Sequence, residues 1–140
     1  MLHSAKKRAG GDMAVPKKTV LILDTDEVTC VLYRREVGRC FYVLTCTNKK
    51  EAWKTLEKQP VDTIVLEPTA LDNEDWGFVI RLRASEHCNG IPIVVCSTLD
   101  ARRRGADMGV TVYLTKPVTP QILSGALQTA LQGNAPIAET

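Results

Sequence analysis

Short apolar runs, each closed by a polar residue and followed by a helical stripe, constrain this 140-residue chain more than any other feature. Val20–Leu23 is unbroken and stops at Asp24, as a strand buried on both faces does. Phe41–Cys46 is rich in β-branched and aromatic residues, Val61–Leu66 stops at Glu67-Pro68, Ile91–Cys96 stops at Ser97, and Thr111–Leu114 is the last strand. Between them the period lengthens. Glu27–Val37 carries Val28, Val31, Leu32 and Val37 as an inward stripe. Asn48 caps a helix running to Lys58 with Ala52, Trp53 and Leu56 inward, and Asp75–His87 turns in Phe78, Val79 and Leu82. A short basic helix, Asp100–Arg104, comes next. Thr119 then caps a last helix with Ile122, Leu123, Ala126, Leu127, Ala130 and Leu131 on one stripe. Five strands alternating with five helices predict an α/β chain, a doubly wound parallel sheet with helices on both faces.

Composition agrees with one domain. Apolar residues are 44% and charged residues 24%, ordinary for a globular protein, and no apolar run is long enough to cross a bilayer. The +2 net charge is uneven: residues 1–18 carry Lys6, Lys7, Arg8, Lys17 and Lys18 against Asp12 alone. Residues 1–17 read as a flexible basic lead-in, residues 18–132 as the folded domain and 133–140 as a tail. Five cysteines (Cys30, Cys40, Cys46, Cys88, Cys96) form no CxxC pair, which fits a reducing, cytoplasmic setting, with Cys46 and Cys96 as small core residues. Nothing reads as a zinc site. His3 and His87 have no companion ligands.

In an open parallel sheet, ligands bind outside the carboxyl ends of the strands. Those ends carry Asp24-Thr25-Asp26-Glu27, Glu67, Ser97-Thr98 and Lys116-Pro117, which together make a small polar pocket for a cation or an anion. With the apolar run into Asp24-Thr25-Asp26, the strand Ile64–Glu67, the block Ile91–Ser97 and Tyr113-Leu114-Thr115-Lys116-Pro117, the chain resembles a response-regulator receiver domain from about Lys18 to Gln132. The resemblance implies a CheY-like, flavodoxin-like (βα)5 fold and a role in two-component phosphorelay signalling. It implies an acceptor carboxylate at Glu67, an acidic pocket at Asp24, Thr25 and Asp26, a switch hydroxyl at Ser97, a switch aromatic at Tyr113, and a lysine followed by a cis proline at Lys116-Pro117.

Departures from the family pattern carry as much weight as the matches. The family's acceptor is an aspartate. Glu67 is one methylene longer, and a misplacement of about 1 Å costs about a hundredfold in rate. Thr25 replaces the second carboxylate of the acidic pair, so Mg2+, whose affinity depends on ligand charge, is weakened; no cofactor is expected, and any metal would rest on Asp24, Asp26 and Glu67. Glu67 can instead pair with Lys116 without metal or phosphate. The segment from Ser97 to Lys116 is about one helical turn shorter than the usual receiver's, giving a shortened fourth helix that carries Arg102, Arg103 and Arg104, either a solvated charge run or an interaction surface. Trp53 reads as packing. Trp76 falls in the loop at the strand edge, for packing or partner contact.

The leading expectation is a pseudo-receiver: not an enzyme and not phosphorylated, acting through protein–protein interaction with a signalling kinase, an output domain or another regulator. A homodimer through the last helix is implied by resemblance only. Three alternatives stay open: a working phospho-switch on Glu67 or Asp72, a flavodoxin-like enzyme or nucleotide binder, and nucleic-acid binding through the basic segments. The second is disfavoured because Asp24-Thr25-Asp26-Glu27 stands where a glycine-rich phosphate loop is needed. The third would show as a steep salt dependence. No segment after Gln132 reads as a further domain, so the module acts alone or is a piece of something longer.

Overall fold

Residue alternation along the strands divides the core in two. The computed structural model describes residues 16–67, 73–98 and 102–133. Its strands are β1 (Thr19–Leu23), β2 (Tyr42–Cys46), β3 (Thr63–Leu66), β4 (Ile93–Ser97) and β5 (Val112–Thr115). They form one parallel sheet in the order β2-β1-β3-β4-β5. The helices are α1 (Glu27–Val37), α2 (Lys49–Lys58), α3 (Asn73–Ala84), α4 (Arg102–Asp107) and α5 (Pro120–Leu131). Leu21, Leu23, Ile64, Leu66, Ile93 and Val95 point to the side of α2 and α3, where they meet Ala52, Leu56, Phe78, Val79 and Leu82. Their neighbours Val20, Ile22, Val65, Val94, Cys96, Val112 and Leu114 point to the side of α1 and α5, where they meet Tyr33, Val37, Leu123, Leu127 and Ala130. Strands buried on both faces need continuous apolar runs, and this chain supplies them.

Helix starts follow the expected chemistry. The Asn48 side chain accepts from the backbone N–H of Glu51 at 2.9 Å, and the Thr119 hydroxyl accepts from that of Ile122 at 3.2 Å. Each satisfies a donor that the first helical turn leaves without a partner.

Several expectations need correction. On α1 the buried residues are Cys30, Tyr33 and Val37; Val28, Val31 and Leu32 lie on the solvent side, 76%, 52% and 37% exposed. Tyr33 decides this rotation. Its ring fills the space over the sheet and its hydroxyl donates to the carbonyl of Val118 at 3.1 Å, which ties α1 to the lead-in of α5. Ile122 leaves the α5 stripe and is half-exposed. Helix α3 ends at Ala84, and the chain turns over residues 86–90 before β4. Trp76 belongs to α3, not to a loop, and is fully buried. The short basic helix spans Arg102–Asp107; its expected start at Asp100, Asp72, all but residues 16 and 17 of the expected 1–17 lead-in and all but residue 133 of the expected 133–140 tail fall outside the described residues.

One side chain closes the lower end of the fold. Arg83 donates to the carbonyls of Asn89 (2.9 Å), Ile91 (2.7 Å) and Gly109 (3.2 and 2.7 Å). The segments that precede β4 and β5 thereby share one guanidinium, whose pKa burial lowers. Gly109 has φ +86, and a Cβ there would stand 3.1 Å from Arg83 Nε, so backbone and side chain both demand glycine. Arg83→Met is expected to destabilise the protein by about 2 kcal/mol, since charged hydrogen bonds to carbonyls are lost. Arg83→Lys is expected to recover little, because an ammonium cannot fork. Urea denaturation of the three proteins checks this.

Candidate functional site

The sheet order reverses between β1 and β3, so the polar residues that follow these strands sit at the crevice where open α/β sheets bind ligands. Backbone bonds draw the ends together. Asp24 donates its N–H to Cys46 (3.1 Å), Glu67 to Leu23 (3.0 Å) and Lys116 to Ser97 (2.7 Å). Asp24, Glu67, Ser97 and Lys116 therefore stand at the same carboxyl edge of the sheet.

Asp24 is the centre of this edge. It is 2% exposed, and its Oδ2 accepts from Lys116 Nζ at 3.2 Å while its Oδ1 accepts from the backbone N–H of Asp26 at 2.9 Å. The sequence allows Lys116 to pair with Glu67; the structure shows an ion pair from Lys116 to Asp24. A carboxylate removed from water needs a cation, and Asp24 is almost wholly buried. Glu67 is nonetheless in the same field. The Cys96 thiol at the end of β4 is pushed up to about 12, chiefly by burial, with Lys116 pulling it down and Asp24 and Glu67 pushing it up.

Asp26 does other work. Its Oδ2 accepts from both the backbone N–H and the hydroxyl of Thr29, so it caps α1 while still feeling the charge of Lys116. The Thr29 hydroxyl holds its carboxyl below the usual aspartate range. An aspartate three residues before a threonine at a helix start was the signal for this cap. Thr25 is exposed and neutral. An Mg2+ ion does not fit this donor set: Asp24 is already neutralised by an ammonium, Asp26 is bound to the helix, and Thr25 brings no charge. Among the described residues, no three of His, Cys, Asp and Glu are grouped so as to hold a metal.

Ser97 and Tyr113 are both buried completely, Tyr113 on the α3 side of the sheet. The residue that makes room for the ring escaped the sequence reading. A Cβ on Gly105 in α4 would stand 2.9 Å from Tyr113 Cδ2, so only glycine lets the helix lie over the ring. Next to it, the Arg104 guanidinium sits 5.7 Å from the Trp76 ring centroid. Arg102 is half-buried, whereas Arg103 and Arg104 are exposed. The Lys116-Pro117 bond is cis.

No family model matches the chain. Among curated proteins it is similar to the response regulator PleD of Caulobacter vibrioides, 27% identical over 116 residues, 81% of this chain and 25% of the relative. It is 27% identical over 128 residues to chemotaxis protein CheY1 of Helicobacter pylori, covering 82% of this chain and 98% of that protein. A probable cyclic di-GMP phosphodiesterase of Vibrio cholerae is 20% identical over 117 residues, 81% of this chain. The chain spans about a quarter of the length of the phosphodiesterase and of PleD, 26% and 25%. In structure it resembles chemotaxis response regulator CheY4 of Vibrio cholerae, with TM-score 0.72 and 22% identity over 81% of this chain and 98% of that one. A response regulator from Thermotoga maritima gives TM-score 0.75 and 18% identity over 84% of this chain and 100% of that one.

Two variants probe the site. Asp26→Ala is expected to lower the melting temperature at neutral pH. A carboxyl depressed on folding contributes stability above its unfolded value, lost as pH falls, so the gap from the parent closes in acid below 3.8. Thermal melts across pH check this. Gly105→Ala is expected to displace the Tyr113 ring or lift α4, at a cost of about 1–3 kcal/mol from overpacking. Loss of protection of the Tyr113 ring resonances in NMR spectra reads it directly.

The fold is thus the flavodoxin-like fold of CheY, and the chain is similar in sequence to response regulators.

Proposed function

We propose that this chain is a receiver-type signalling module that takes up no phosphoryl group and acts through protein–protein contact, as a pseudo-receiver. The observation that carries the reading is the direct Asp24–Lys116 ion pair in a pocket where Thr25 supplies no charge and Glu67 occupies the acceptor position. Phosphoryl transfer needs a cation to neutralise developing charge and a nucleophile in line. Here the lysine already answers a buried carboxylate, and Glu67 is one methylene longer than the family's aspartate, which moves its carboxylate out of the aspartate's place. No catalytic role is assigned to any residue.

Its partner is a signalling kinase, an output domain or another regulator. The exposed Arg103 and Arg104, with Arg102, suit an acidic protein segment, since α4 holds them on a solvent-facing turn. The outer face of α5, where Ile122 is half-exposed, suits a homodimer. Reduced cysteines and the receiver-like fold favour a cytoplasmic location. Among the described residues no helix is long and apolar enough to cross a membrane.

Intact-mass measurement after incubation with acetyl phosphate and Mg2+ tests the reading. The native chain is expected to keep its mass, and the Thr25→Asp, Glu67→Asp double variant to gain a phosphoryl group. An adduct on the native chain overturns the reading, and mapping it would show whether Glu67 or Asp72 is the acceptor.

A further inference from the structure

The outward-turned stripe of α1 answers to no function assigned so far. Val28, Val31 and Leu32 follow helical spacing, and all three are substantially exposed while Cys30, Tyr33 and Val37 hold the helix to the sheet. Single exposed apolar residues are ordinary; three that share one helix face make a continuous patch. Valine also favours a helix less than most polar residues do, so two exposed valines weaken α1 without repaying it in packing.

Charges at the ends of this patch identify what covers it. Glu27 and Arg35 stand on either side of Val31, each four residues away, and both are exposed. The Arg35 side chain is 68% exposed and its Nε donates to the neighbouring Glu36 at 3.1 Å, an exposed contact from which it can turn outward at little cost. We infer that the occupant is a second copy of this chain, packed antiparallel along α1 about a two-fold axis near Val31. That arrangement sets each Glu27 against the partner's Arg35 and places the valines and Leu32 between the two pairs. A two-fold interface must be complementary to itself, and a patch with opposite charges equidistant from an apolar centre meets that condition. Two helices of 11 residues bury a small area, so the dimer is weak and forms at high protein concentration. This interface is separate from the α5 face and from the strand-end pocket.

Sedimentation velocity of the full chain from roughly 10 μM to roughly 1 mM tests it, the range in which a small interface associates. The parent is expected to shift from monomer toward dimer. Val31→Glu brings two carboxylates together at the axis and is expected to weaken association by about tenfold or more. Val31 is exposed, so the variant's thermal melt is expected to match the parent's. Glu27→Arg and Arg35→Glu are each expected to weaken association, and the double variant to restore it, which a merely structural role for either residue would not do. A parent that stays monomeric throughout overturns the inference. So does self-association that Val31→Glu leaves unchanged, which would move the contact to another face. Neither outcome bears on the phosphorylation test.

Discussion

Burial of a parallel sheet on both faces is the constraint on which everything else in this molecule depends. Each central strand spends all its side chains on packing, alternately toward α2 and α3 and toward α1 and α5. Polar chemistry is thereby expelled from the strand interiors and collects where the strands end. Asp24, Glu67, Ser97 and Lys116 follow the last apolar residues of their strands or close them, so their convergence is a consequence of the sheet order. Polar exceptions inside the strands divide: buried Thr63 donates its hydroxyl to the carbonyl of Pro92 at 3.1 Å, whereas the buried Thr115 hydroxyl in β5 has no hydrogen-bond partner among the described residues.

At that edge the balance is electrostatic. Asp24 is almost wholly removed from water, and the Lys116 ammonium with one backbone N–H replaces the hydration it has lost. Removing the cation would leave a buried, uncompensated charge, a change that typically costs about 3–5 kcal/mol. Another cation could replace the ammonium only if neighbouring carboxylates joined Asp24. Asp26 caps α1, and Thr25 has no charge to give. The pair is thus compatible with a site that is closed upon itself.

Much of the fold was legible because periodicity and capping are local. Asn48 and Thr119 cap as their residue types require, and Phe78, Val79 and Leu82 turn inward as their spacing requires. The α1 stripe was misread for an equally physical reason: periodicity ranks faces by apolar content, whereas Tyr33 and Cys30 pack with polar atoms that such a ranking discounts. Arg83 and Gly105 were invisible because their importance lies in contacts with residues distant in sequence, the carbonyls before β4 and β5 and the ring of Tyr113. The edge of polar residues was legible from the strand ends, but the Asp24–Lys116 pair was not, because it joins residues distant in sequence that only the finished sheet brings together.

On the proposed reading, a closed site changes how such a module can be regulated. A ligand shifts a conformational equilibrium only by its differential affinity for two states, and a pocket that takes neither metal nor phosphoryl group offers no such difference. Tyr113, enclosed by α4 through the space that Gly105 leaves, is then held in one place whatever happens at the strand ends. The surface presented to partners is constant, and occupancy is set by partner concentration and by competition between faces. An α1 interface that forms only at high local concentration fits this logic, because the protein's own abundance then becomes the variable that a phosphoryl group is elsewhere.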